Sequence, residues 1–246
     1  MSAGVLVVQH ESICPPGRLG HWLAGCGVEV DVVRPYAGEP LPDQVGHDGL
    51  VVLGGTMGAN DDHAYEWLAG TKRLLAEAVD AGVPVLGVCL GHQLLAVACG
   101  GRVQTNPNGA TIGLRAVRPL DQPGRDDPLL AGLPSSAVAI HWNDDIVTRT
   151  PPGAAVLAST EDGAPQVIQV GEHAWGVQFH PEADARIVAD WADRSVAAGA
   201  LSKAGADTHL AALARADAEL AATWRPWAAR FAGLVLSSPG AARRSG

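Results

Sequence analysis

The chain has 246 residues, 47% of them hydrophobic, which is room for one large α/β domain and an appendage but not for a second catalytic domain. Its 26 acidic against 17 basic residues give a formal charge of -9, with no basic cluster beyond Arg243-Arg244, which argues against nucleic acid as a partner. No stretch approaches the ~20 apolar residues of a membrane span, and Met1 to His10 lacks the basic start of a secretory leader. The four cysteines, at 14, 26, 89 and 99, have neither Cys-x-x-Cys spacing nor disulfide-scaffold density, so a reducing, cytoplasmic setting is expected.

Val5 to Val8 reads as a first core strand, Pro16 to Cys26 as a helix, Val28 to Val33 as a strand, and Leu50 to Leu53 as an apolar strand feeding Gly54-Gly55-Thr56-Met57-Gly58. Ala64 to Ala81 sets Trp67, Leu68, Leu74, Leu75 and Val79 at helical spacing, and Val83 to Val88 then runs into Cys89. The alternation predicts an open, twisted, mostly parallel sheet with helices on both faces. From Arg102 to Val177 the runs Thr111 to Val117, Ala137 to Trp142, Ala155 to Ala158, Pro165 to Val170 and Ala174 to Phe179 predict strands of mixed direction that finish that sheet. A helix over Asp184 to Ala198 follows. Asp207 to Val235 is Ala-rich, with Leu210, Leu213, Leu220, Trp224, Trp227 and Phe231 on one apolar face and a kink expected at Pro226. The expected division is a main domain over 1–200, a C-terminal helical extension over 201–236 and a disordered tail over 237–246.

Cys89 lies where an apolar strand stops and a helix begins, with Gly87 and Gly91 two residues to either side. A helix start aims unpaired N–H groups and the positive end of its dipole at the sulfur, the setting of a reactive thiol. The turn resembles the Gly-x-Ser-x-Gly elbow of hydrolases with cysteine for serine, so acyl transfer through a thioester is the chemistry to expect. Gly176-Val177-Gln178-Phe179-His180-Pro181-Glu182 supplies a base: His180 can take the thiol proton and return it to a leaving amine, and Glu182 can orient the imidazole. The glycines after Leu53 can expose N–H groups to a developing oxyanion.

Gly-x-Cys-x-Gly-x-Gln combined with a later Phe-His-Pro-Glu resembles the class I, triad-type glutamine amidotransferases. Pro84-Val85-Leu86-Gly87, Ala110-Thr111-Ile112-Gly113 and His141-Trp142-Asn143-Asp144-Asp145 are similar to stand-alone members resembling the amidotransferase domain of GMP synthase, and the resemblance spans roughly residues 4 to 195. It implies Cys89 as nucleophile, His180 as base, Glu182 as its orienting partner, and Gly55 and Leu90 as oxyanion N–H donors. It also implies Gln93, Met57, Trp142, Asn143 and Asp144 as substrate contacts, and no metal or cofactor. Two positions depart from the family pattern: Thr56, where relatives often have proline, and Asn143-Asp144-Asp145, where relatives often read His-Gly-Asp.

The resemblance implies a glutaminase that releases glutamate and ammonia. With no ATP-binding P-loop in the sequence, the nitrogen acceptor is expected on a separate synthetase subunit. Two alternatives stand beside it: a γ-glutamyl peptide or amide hydrolase using the same triad, and a non-catalytic regulatory homologue, which the intact Cys89, His180 and Glu182 disfavour. His92, Asp61, Asp62 and His63 read as structural or solvated residues, and His141 with Asp144 and Asp145 matches no zinc spacing.

Overall fold

Along β1 (Gly4–Val8) the pleat sends Val5 and Val7 to one face and Leu6 and Val8 to the other, and all four are buried. A strand apolar on both sides belongs in the middle of a covered sheet, and β1 pairs in parallel with β2 (Glu29–Val33) and β3 (Gly49–Val52). The computed structural model describes residues 3–120, 127–135, 137–161 and 163–238. Its main sheet has eight strands in the order β2-β1-β3-β4-β12-β11-β10-β7, where β4 is Val85–Val88, β7 Arg118–Pro119, β10 Ala155–Ser159, β11 Pro165–Val170 and β12 Ala174–Val177. The first five run parallel and the last three are added antiparallel.

Helices cover both faces, as expected. Residues of α2 (Trp67–Asp80) and α3 (Leu90–Ala98) share one core with Leu6, Val8, Leu50, Val52 and Val85. On the other face α1 (Gly17–Gly25), α4 (Ala185–Ala197) and α5 (Lys203–Leu236) close over Val5, Val7, Leu86, Val88, Trp175 and Val177. Two caps set where the last helices start: Asp184 accepts from the Ile187 N–H at 2.9 Å, and Ser202 from the Gly205 N–H at 3.1 Å.

The middle of the chain differs from the expectation that all its strands finish the sheet. β5 (Arg102–Thr105) pairs with β9 (Asp145–Arg149), and β6 (Thr111–Ala116) with β8 (Val138–Asn143), as two separate antiparallel ribbons. The reason lies in side chains. β5 buries Val103 alone and leaves Arg102, Gln104 and Thr105 exposed, a pattern that cannot sit inside a sheet covered on both faces. With so few apolar residues, β5 and β9 carry little strand signal.

The C-terminal apolar face becomes one long helix. α5 begins at Lys203, four residues before the expected start, and continues through Pro226, which removes one N–H from the ladder without ending it. Leu213, Leu220, Trp224, Trp227 and Phe231 are buried in the same core as the sheet, at roughly 1.5–3 kcal/mol each as an upper bound. The tail expected over 237–246 falls mostly on residues 239–246, outside those described. Among the described residues no helix is long and apolar enough to cross a membrane.

Candidate active site

β4 and β12 are parallel neighbours with Val88 opposite Val177, so the residues just past their ends emerge at the same edge of the sheet. The Cys89 N–H donates to the Val177 carbonyl at 2.8 Å, and the His180 N–H to the Ile140 carbonyl in β8 at 2.8 Å. Cys89 is thus pinned to the sheet, and His180 to the ribbon carrying Trp142 and Asn143.

The turn at Cys89 is strained. Its φ of 51° and ψ of -103° make it the one non-glycine residue with positive φ among those described, a state costing about 1–3 kcal/mol. A Cβ on Gly91 would lie 2.0 Å from the Val52 carbonyl oxygen, and one on Gly87 2.4 Å from that of Gly91, so both neighbours must lack side chains. The first α3 bond runs from Gln93 N–H to the Cys89 carbonyl at 3.1 Å, which leaves the Leu90 N–H ahead of the helical ladder. Gly54 acts differently: a Cβ there would start 3.2 Å from His180 Cε1 and 3.7 Å from Cys89 Cβ, in the space over which ring and cysteine approach.

His180 and Glu182 are both buried, with Nδ1 of the ring 2.7 Å from Oε1 of the carboxylate. Burial works to lower the His180 pKa, but the negative charge of Glu182 and the contribution of Cys89 outweigh it and raise it to about 10. With Nδ1 committed to Glu182, Nε2 is the ring nitrogen left to exchange a proton with Cys89. The indole of Trp191 packs on the imidazole at a 4.5 Å centroid distance. Burial pushes three further histidines down, His10 and His141 to about 3 and His92 to about 4, so they are neutral at pH 7. His92 lies against Gly176 rather than the cleft. Burial and the nearby Glu11 and Glu182 carboxylates raise the Cys14 thiol far above its ordinary range, which disfavours its thiolate.

The cleft around Cys89 has two lobes that share Gly55, Thr56, Cys89, Trp142 and Ser195. The larger, about 430 Å³, is polar, and Met57, Asp61, Gln93, Asn143, Asp144 and Asp145 line it. The smaller, about 80 Å³, is walled by Ile13, Cys14, Trp142, Trp191 and His180. Eight of the ten residues expected at the site therefore line this cleft; Leu90 is buried next to Cys89 in the chain, and Glu182 stands behind His180. Gln93 has its amide nitrogen turned to the scaffold, donating to the Asp145 carbonyl at 3.0 Å and to Gln178 Oε1 at 3.3 Å.

Three neighbours were not singled out by the sequence. Gln178 donates from Nε2 toward Cys89 Sγ at 3.6 Å; it lies just past the end of β12, in the same short run as His180. Glu11 accepts from the Thr56 N–H at 2.6 Å and from the Thr56 hydroxyl, and pairs with Arg194 at 3.3 Å. Thr56 therefore anchors the Gly54-Gly55 loop through a bond that proline could not donate. Nothing local in the sequence marks Glu11 or Trp191. Among the described residues no group of three or more His, Cys, Asp or Glu is placed to hold a metal ion.

The family model for glutamine amidotransferase class-I matches residues 18–188. The chain is 34% identical to the glutamine amidotransferase-like protein YfeJ of Salmonella typhimurium, over 71% of this chain and 74% of that one. It is 28% identical to gamma-glutamyl peptidase 5 of Arabidopsis thaliana, over 78% and 76%. The glutamine-hydrolyzing GMP synthase of Porphyromonas gingivalis is 34% identical over 61% of this chain and 28% of its own length. The crystal structure of a glutamine amidotransferase from Thermotoga maritima superposes with a TM-score of 0.83 at 25% identity, covering 94% of this chain and 99% of that one.

Proposed function

The chain belongs to the glutamine amidotransferase class-I family, and from that premise we propose that it hydrolyses the side-chain amide of glutamine to glutamate and ammonia through a γ-glutamyl thioester on Cys89. The observation that carries the reading is the His180–Glu182 contact of 2.7 Å behind a cysteine held on a strained strand-to-helix turn.

Cys89 Sγ attacks the carboxamide carbon, and the Gly55 and Leu90 N–H groups meet the oxyanion. His180, whose raised pKa keeps a proton on the ring at neutral pH, gives that proton to the departing nitrogen as the C–N bond breaks. The neutral ring then takes a proton from water, which attacks the thioester and frees glutamate. Glu182 holds Nδ1 and so points Nε2 at the reaction. The polar lobe takes the amino acid head group, with Asp144 and Asp145 suited to its ammonium. The ammonia passes to a separate synthetase protein, and a reducing cytoplasm is the compartment such a thiol needs.

The test is release of glutamate and ammonia from glutamine by the purified chain, alone and with candidate synthetase proteins, together with peptide mapping after an electrophilic glutamine analogue. Equimolar products and an adduct on Cys89 are expected. An adduct on Cys14, Cys26 or Cys99, or no turnover with or without a partner, overturns the reading and favours a regulatory homologue.

A further inference from the structure

The carboxylate behind His180 is aimed by its main chain. Glu182 gives Oε1 to the imidazole, and among the described residues no donor meets its second oxygen, Oε2. A buried carboxylate with one side-chain tie keeps its distance to the ring only if the backbone beneath it is fixed. Upstream, the His180 N–H is held by the Ile140 carbonyl; downstream, Asp184 caps α4. The Glu182 residue itself is held from the far end of the chain, where the Arg18 N–H donates to its carbonyl at 2.9 Å.

That donor belongs to the first turn of α1, whose N–H groups have no partner within the helix. A stiff segment delivers it. Pro15 and Pro16 restrict φ at two successive positions, the Gly20 N–H returns to the Pro16 carbonyl at 2.9 Å, and Leu19 and Leu23 root the helix in the core. Gly17 turns the chain into α1 with a φ of 47°, and a Cβ there would lie 2.3 Å from the Glu182 carbonyl oxygen and 2.8 Å from Ile187 Cδ1. Ile187 can swing its terminal carbon aside. The carbonyl cannot retreat without carrying Glu182 with it.

We propose that Gly17 and the Arg18 N–H are positioning elements of the reaction, which seat the Glu182 main chain against α1 and so set the contact between Glu182 and His180. The proposal rests on the triad reading above. Neither Gly17 nor Arg18 lines the cleft around Cys89, so they act through Glu182 rather than on substrate. The other titratable and charged groups around the pair are Cys89, Cys14 and Glu11 after β1, His141 on β8, Arg194 on α4, and Arg18 itself, paired with Asp217 of α5. His141 is neutral at pH 7, and Arg194 is answered by Glu11. That leaves Glu182 and the Cys89 sulfur to keep His180 protonated.

The experiment measures kcat, KM and the pH profile of kcat/KM on glutamine for the full chain, in wild type, Gly17→Ala, Arg18→Pro, Asp217→Asn, Glu182→Gln and the double variant Gly17→Ala with Glu182→Gln. His180 must carry a proton in the free enzyme, so the alkaline limb of kcat/KM follows its pKa, and a displaced Glu182 moves that limb to lower pH. Gly17→Ala is expected to lower kcat by about 10- to 100-fold with KM unchanged, and to move the limb down by about one pH unit or more, which lost stability alone would not do. Arg18→Pro removes the donor at a first-turn position that tolerates proline; it is expected to act alike, and stands in if Gly17→Ala fails to fold. Asp217→Asn breaks the ion pair but keeps the N–H, and is expected to leave the limb in place. On top of Glu182→Gln, Gly17→Ala should cost less than about twofold more. A wild-type limb in folded Gly17→Ala or Arg18→Pro, an equal shift in Asp217→Asn, or losses that multiply in the double variant overturns the positioning role and leaves the triad reading intact. No glutamine turnover by wild type, with Cys89 unlabelled by an electrophilic analogue, overturns both.

Discussion

Phe179 and Trp224 pack with ring centroids 4.6 Å apart and planes tilted by 40°, which joins the C-terminal helix to the residue immediately before His180. Trp224 also donates from Nε1 to the Val138 carbonyl at 2.9 Å, so one side chain braces both strands that present the histidine. Trp224→Ala is expected to lower stability by about 3–5 kcal/mol, a fall in Tm of roughly 6–20 °C at ~2–4 °C per kcal/mol. Deleting residues 207–246 should cause aggregation. A truncated chain that stays soluble and melts unchanged in calorimetry would contradict this.

Replacing Cys89 separates chemistry from strain. Cys89→Ala and Cys89→Gly are both expected to abolish turnover. Yet Cys89→Gly should melt higher than Cys89→Ala, by about 1 kcal/mol, because glycine tolerates the positive φ of the turn and alanine does not. Equal melting temperatures would show that the backbone relaxes when the thiol is lost.

His180→Asn is expected to cost more than Glu182→Gln, since the first removes the proton carrier and the second only its hold on Nδ1. Losses on the order of 10³- to 10⁶-fold in kcat are expected for a group acting within a triad. Near-normal steady-state turnover in His180→Asn would refute the assignment.

Buried histidines of opposite behaviour predict a bell in stability against pH. His180, raised from 6.5 to about 10, contributes stability that is full below pH 6.5 and lost as pH rises toward 10. His10, His92 and His141, lowered to about 3 to 4, contribute the reverse: each resists protonation when folded, so stability falls as pH drops from about 6.5 toward 4. The maximum is therefore expected near pH 6.5 in denaturant titrations. In Glu182→Gln the alkaline limb should flatten while the acid limb persists.

Glu11 holds the loop that carries Gly55. Thr56→Val loses only the hydroxyl bond, about 1 kcal/mol, whereas Glu11→Ala loses the Thr56 N–H bond and the Arg194 pair as well. The expected order of kcat loss is Glu11→Ala well beyond Thr56→Val. The reverse order, measured on glutamine at saturation, would mean that the loop is set elsewhere.

The elements that were legible in the sequence are those whose side chains obey one rule along their whole length. β1, β3 and β4 are apolar on both faces, and α5 carries one apolar stripe, so their burial could be read directly. β5 and β9 were illegible because pairing, not burial, makes them strands. The same holds at the site. Cys89, His180 and Glu182 sit in runs whose glycines and order betray them, but Glu11 and Trp191 act through contacts across the fold, with Glu11 reaching Thr56 and Arg194 and Trp191 reaching Ile13 and His180.

The place of β12 in the sheet orders events in time. It lies between β4 and β11, yet it is synthesised 85 residues and more after β4, so a nascent chain carries the thiol through most of translation with no imidazole beside it. Only when β12 slots in and sets Val177 against Val88 does the Cys89 N–H meet its Val177 acceptor and His180 come to the same edge of the sheet. A fragment ending before residue 174 lacks the Val177 acceptor and both His180 and Glu182, so labelling of Cys89 by an electrophilic glutamine analogue is expected in the full chain and not in the fragment.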